Sequence, residues 1–187
     1  MNKHKAIRFL MVSTFLLMQL LILTLIVKDN YENETFVAIA IILLLAFILF
    51  YGYKDIDLHH EEYAYEKLLV ALWVPVGALA CYFLNISMGL GGVLAAGIIG
   101  TIGSFIPNLH KNSNYLSQLP VPIYCGAFIG MSSIEVTPSL SFVVTAGIIT
   151  CGILILSKNI FLGIGGKLGT IAFIGVTISS LIFWITQ

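Results

Sequence analysis

The sequence predicts an all-α polytopic membrane protein. Of its 187 residues 59% are hydrophobic and 10% charged, whereas soluble domains carry about 25% charged residues. Its apolar runs approach the ~20 residues a helix needs to cross the hydrocarbon core. None alternates apolar and polar residues as a membrane strand does. At that length per span, the chain holds at most about seven or eight helices and no separate soluble domain. Nine basic side chains balance nine acidic ones, so no basic surface invites nucleic acid.

Residues 1–8, MNKHKAIR, are short and basic, and the first span follows from Phe9 to Val27. A signal peptide has a shorter apolar core and small residues before its cleavage site. This run ends Leu25-Ile26-Val27-Lys28, so an uncleaved span is expected. After the acidic linker KDNYENE, the second span runs from Thr35 to Tyr53, and the polar connector KDIDLHHEEYAYEK from Lys54 to Lys67. The third span, Leu68 to Leu84, contains Pro75, and the fourth, Gly89 to Ile106, stops before Pro107. The polar stretch NLHKNSNYLSQ leads to a short fifth span, Leu119 to Ile134. That span opens on Pro120 and Pro122 and is closed by Glu135 and Pro138. The sixth runs from Ser139 to Leu156 and the seventh from Ile160 to Ile185.

These spans form one transmembrane domain in two parts. Residues 1–67 hold the first two spans and the connector, and 68–187 a glycine-rich core. Only Gly52 precedes residue 77, while sixteen glycines and all five prolines lie from Pro75 onward. Small residues let helix backbones approach closely in lipid. In the fourth span Gly92, Ala96, Gly100 and Ser104 recur every fourth residue, and Gly126/Gly130 and Gly165/Gly169 form two further pairs.

Lys/Arg asymmetry sets the orientation. With the N-terminus inside, Lys3, Lys5, Arg8, Lys54, Lys67, Lys111 and Lys158 are cytoplasmic. Lys28 alone is outside and Lys167 falls within the seventh span. The C-terminus is then outside, and the cytoplasmic (inner) membrane is the expected location. A fifth span that re-entered instead of crossing would reverse everything after it.

A duplication is the strongest internal signal. Residues 85–92 read NISMGLGG and residues 159–166 read NIFLGIGG. Asn85, Ile86, Gly89, Gly91 and Gly92 match Asn159, Ile160, Gly163, Gly165 and Gly166 at an offset of 74. Each copy joins one span to the next, three spans apart, which gives the copies opposite orientations. The expected architecture is a three-plus-three inverted repeat with the first span as an extra. Transporters are often built this way, with their site at the repeat interface.

Other chemistries find little support. Cys81, Cys125 and Cys151 are odd in number, lie in apolar segments, and read as small core residues. Asp55, Asp57, His59, His60, Glu61 and Glu62 lack metal-site spacing, so an acidic connector is the better reading than a zinc site. No histidine lies within a span to act as a base for Ser104, Ser132 or Ser133. The segment GLGGVLAAG follows a span, not a Rossmann strand, so no dinucleotide is expected. An enzyme is not expected, nor a cofactor.

The expected function is transport or conduction of a small solute or ion. The alternative is a non-catalytic membrane subunit that assembles with another protein. A homodimer or larger oligomer in the bilayer is expected. An ionisable group at the bilayer centre costs at least about 2.5–3.5 kcal/mol and is a functional candidate. The two candidates are Lys167, in LGIGGKLGTI, and Glu135, at the outer end of the fifth span, where Thr137 and Pro138 mark a loop and favour an interfacial place. On a continuous helix Lys167 lies about 13 Å past Lys158. It follows a helix start, where a cation adds to the positive dipole end, an arrangement suited to an anionic ligand or a buried carboxylate. Snorkelling to the interface is the structural alternative. The expected site is Lys167, Thr170 and Asn159 with Gly163, Gly165, Gly166, Asn85, Gly89, Gly91 and Gly92, and Glu135 beside it. Lys167→Met is expected to abolish activity without unfolding the chain.

Overall fold

The computed structural model describes residues 3–32, 36–55, 65–158, 160 and 165–186. Among them there is no strand, and the chain is an all-helical protein. Its helices are α1 (Lys3–Glu32), α2 (Phe36–Asp55), α3 (Leu68–Ala71), α4 (Trp73–Tyr82), α5 (Gly92–Phe105), α6 (Pro120–Gly130), α7 (Leu140–Leu156) and α8 (Lys167–Thr186). A π-helical turn, Phe83–Ser87, extends α4. Short 3-10 turns at Ile106–Leu109 and Leu116–Gln118 follow α5 and precede α6. Four stretches among the described residues are long and apolar enough to cross a membrane: Phe9–Tyr31, Leu68–Ser87, Gly92–Leu109 and Lys167–Thr186. Leu116–Gly130 and Leu140–Leu156 are shorter apolar helices.

The chain divides into two units, Met1–Tyr63 with Asn159–Gly163, and Ala64–Lys158 with Ile164–Gln187. In the first, α1 and α2 form a hairpin, with the Tyr31 and Phe36 rings meeting edge to face at 6.3 Å. α1 runs beyond Val27 into the linker, where Asn30 donates a hydrogen bond to the Ile26 carbonyl at 2.9 Å. Thr14 and Thr24 return their hydroxyls to carbonyls of their own helix, as polar side chains in lipid must.

The second unit runs up and down. Backbone contacts show the directions. Glu66 N–H donates to the Ile155 carbonyl at 3.1 Å and Gly147 faces Pro75, so α3 and α4 lie antiparallel to α7. Gly126 faces Val74 and Ala78, and Gly130 faces Ala78 and Tyr82, so α6 runs parallel to α4. Gly92 meets Met131 and Gly103 meets Ile123, setting α5 antiparallel to α6. The Phe142 and Phe183 rings, 5.1 Å apart, and Gly175 against Thr150 set α8 antiparallel to α7. α6 therefore runs from the end of the unit where α5 stops to the end where α7 begins.

Proline and glycine explain the breaks. Pro75 has no N–H for the Ala71 carbonyl, and its ring crowds that group. The helix interrupts at Leu72, leaving Pro75 in the first turn of α4. Gly77, Gly126 and Gly130 let α4 and α6 meet backbone to backbone, because a Cβ at any of them would strike main-chain atoms across the interface. The stripe of α5 serves the same purpose within the chain, with Gly92 on the Met131 carbonyl and Gly100 under the Tyr124 ring. Gly165 and Gly169 have open space instead. Side chains such as Val93, Phe105 and Trp184 face outward, as lipid-facing positions do.

Candidate functional site

Seen from α7, the second unit has a Lys167 end and an Asn85 end. At 1.5 Å per residue the 17 residues of α7 separate them by about 25 Å. Lys67, Lys111, Lys158 and Lys167 are all at the former, and Glu135 is exposed in the turn at the latter.

The Lys167 end is built around the last carbonyls of α7. A helix C-terminus leaves four carbonyls without intrahelical donors. Ser157 N–H returns to Ile153 and Leu154, and Glu66 N–H takes Ile155. The Lys167 ammonium donates to the Ser157 carbonyl and, at 3.0 Å, to that of Lys158. Lys158 Nζ in turn pairs with Glu66 Oε1 at 3.0 Å, and the same oxygen accepts from Lys67 N–H at 3.1 Å. Lys167 opens α8, where its charge opposes the dipole of its own helix, yet it lies on the negative end of α7, where a cation is stabilised. Directly after it, the Leu168 carbonyl accepts from the buried Cys125 thiol at 3.5 Å.

The structure corrects one expectation. No continuous helix carries Lys167 inward from Ile160, because Gly165 and Gly166 form a turn and the helix starts at Lys167. Gly166 has φ 85°, a conformation open chiefly to glycine. The amine caps a neighbouring helix at one end of the bundle.

At the opposite end Asn85, buried in the π-helical turn, donates through Nδ2 to the Gly130 and Ser132 carbonyls at 3.0 and 2.9 Å. It thereby satisfies the end of α6. Gly89 and Gly91 both have positive φ, and Gly91 turns the chain into α5. The first glycine run is therefore a tight connector against Met131.

The expected site residues thus divide into two groups. Lys167, Gly165 and Gly166 are at one end, and Asn85, Gly89, Gly91, Gly92 and Glu135 at the other. The structure does not bring the two glycine runs together. Thr170 bonds the Gly166 carbonyl of its own turn at 3.1 Å. Asn159 and Gly163 lie outside the described residues, as do Asp57, His59, His60, Glu61 and Glu62 of the connector. Among the described residues no three His, Cys, Asp or Glu side chains gather as a metal site needs. Glu66, Ser157 and Cys125 are the members sequence reasoning missed. Glu66 is 92 positions from Lys158, and no local pattern links them.

No protein-family model, curated protein or solved structure matches the chain.

Proposed function

We propose that the chain is an integral membrane transporter or channel for a small solute or ion. It works between inverted halves, the second to fourth and fifth to seventh of seven spans, with the first as an extra helix. The observation that carries this reading is the direction of two glycine-turned hairpins. α4 and α5 turn at the Asn85 end; α7 and α8 turn at the Lys167 end. They run in opposite senses, as copies three spans apart must. In secondary transporters of this design, substrate sites lie where short or interrupted spans meet. α6 fits that description. Its 11 residues span only about 16 Å of a ~30 Å core. Non-helical backbone at such depth is tolerated only within protein or beside a water-filled cavity. The four lysines at one end support placing that end of the second unit in the cytoplasm, with the C-terminus outside, and the basic segment MNKHKAIR supports a cytoplasmic N-terminus.

The test is flux into proteoliposomes holding the purified chain alone. Uptake of an ion or small metabolite down an imposed gradient supports the proposal. Absence of flux for every ion and metabolite tried points to the second reading, a non-catalytic membrane subunit. That reading has its own observation: Asn85 and Lys167 both hold helix-end carbonyls, and the glycine interfaces are closed backbone to backbone.

A further inference from the structure

We propose that Glu66, Lys158 and Lys167 form a conformational latch that closes one end of the second unit over Cys125. The inference goes beyond the transport reading, and its test uses no flux.

The latch ties three elements far apart in sequence: the start of α3, the end of α7 and the start of α8. It does so with charged side chains. Lys158 pairs with Glu66 at 3.0 Å, their side chains 34% and 13% exposed. Lys167 holds the Ser157 and Lys158 carbonyls. Lys158 keeps the ion pair within reach of water, where such a pair contributes little net stability. Water can take the place of the ammonium on the carbonyl of the partly exposed Lys158, although Ser157 is buried. This closure is therefore reversible by thermal motion.

Two further observations give the motion a place and a direction. Gly165, Gly166 and Gly169 around the first turn of α8 have open space where a Cβ would stand, whereas Gly175 further along is pressed onto Thr150 and Ala146 of α7. Lys167 and the Cys125 thiol tie the first turn of α8 to its neighbours, and the helix is packed beyond it from the buried Ile171 onward. The opposite end differs in kind. There a buried, neutral Asn85 amide holds carbonyls of α6, and Gly92 and Gly130 are jammed against backbone. Opening is thus confined to the Lys167 end. The first group it uncovers is Cys125, fully buried, with its thiol on the Leu168 carbonyl. Cys81, equally buried, lies in the α4–α5–α6 cluster with Ala95 and Ala127 and stays covered.

The experiment measures the labelling rates of Cys125 and Cys81 by a water-soluble maleimide, on the full chain in nanodiscs, resolved by peptide mass spectrometry. Glu66→Gln and Lys158→Gln are each expected to speed Cys125 labelling by about two- to fivefold, the range that loss of a partly exposed pair allows, and Lys167→Met by more, because it leaves two carbonyls without their donor. Cys81 labelling stays at the wild-type rate. Exchanging the charges, Glu66→Lys with Lys158→Glu, restores protection of Cys125. An unchanged Cys125 rate in the single variants overturns the latch. So does a parallel rise at Cys81, because the cluster would then hold the whole bundle together. So does failure of the exchanged pair to restore protection. Absence of flux in proteoliposomes leaves each of these results standing.

Discussion

Lys167 and Asn85 do the same work at opposite ends of one bundle. Each supplies N–H donors to carbonyls that a terminating helix leaves without partners. A buried acceptor that loses its donor costs about 1–3 kcal/mol. Asn85→Leu leaves two such carbonyls, so a marked fall in thermal midpoint in detergent is expected. Asn85→Asp, which removes the donor at the same volume, is expected to fall as far. A midpoint for Asn85→Asp equal to wild type would remove this account of the residue. Lys167→Met removes a cap and is expected to lower the midpoint as well as any flux, so the variant is not a clean probe of activity. Lys167→Arg keeps donors and charge at the end of α7 and is expected to recover most of the lost stability.

At the scale of helices, glycines sort by what stands opposite them. Gly126 and Gly130 lie against main-chain atoms of α4, which no rotamer change can move aside. Gly126→Ala is expected to cost at least the ~1–3 kcal/mol typical of overpacking. Gly97 and Gly152 are helical and face open space. There alanine is expected to be neutral or stabilising by about 0.5–1 kcal/mol. Thermal midpoints of the four alanine variants check the ordering. Gly91 belongs to neither class, since its φ of 82° and ψ of 150° suit glycine almost alone. Gly91→Ala is expected to destabilise by about 1–3 kcal/mol through backbone strain, with no contact to relieve. Gly92 and Gly100 of the α5 stripe, one ground for the expected oligomer, meet Met131 and Tyr124 within the chain, while Ser104 at its end is exposed. Particle mass in a nanodisc then tests assembly independently of that stripe.

For the whole molecule, the charge asymmetry makes a topological prediction. With the lysines of the second unit inside, Lys111→Cys is expected to react with an impermeant maleimide only after cells are opened. Glu135→Cys is expected to react in intact cells. Labelling of both from one face would contradict the crossing of α6 and with it the inverted hairpins. The bundle itself alternates direction through α4, α5, α6, α7 and α8, so the two positions lie at opposite ends whichever face is inside.

Composition determined that this chain is suited to a bilayer, because a chain with so few charges cannot clothe a soluble surface, and the long apolar runs without strand-like alternation made it helical. Glycine placement made the tight core legible, since small residues act by letting backbones approach. α7 begins next to its Ser139 cap, which accepts from Phe142 N–H at 3.2 Å, close to where the sequence places the sixth span. Three things required the tertiary structure. The start of α8 was hidden because hydropathy does not distinguish an apolar turn at Gly165–Gly166 from an apolar helix. The role of Lys167 was hidden because its electrostatics depend on the end of α7, a different helix, and not on its own. The pairing of Glu66 with Lys158 was hidden because antiparallel packing of α3 and α7 joins residues that no sequence period relates.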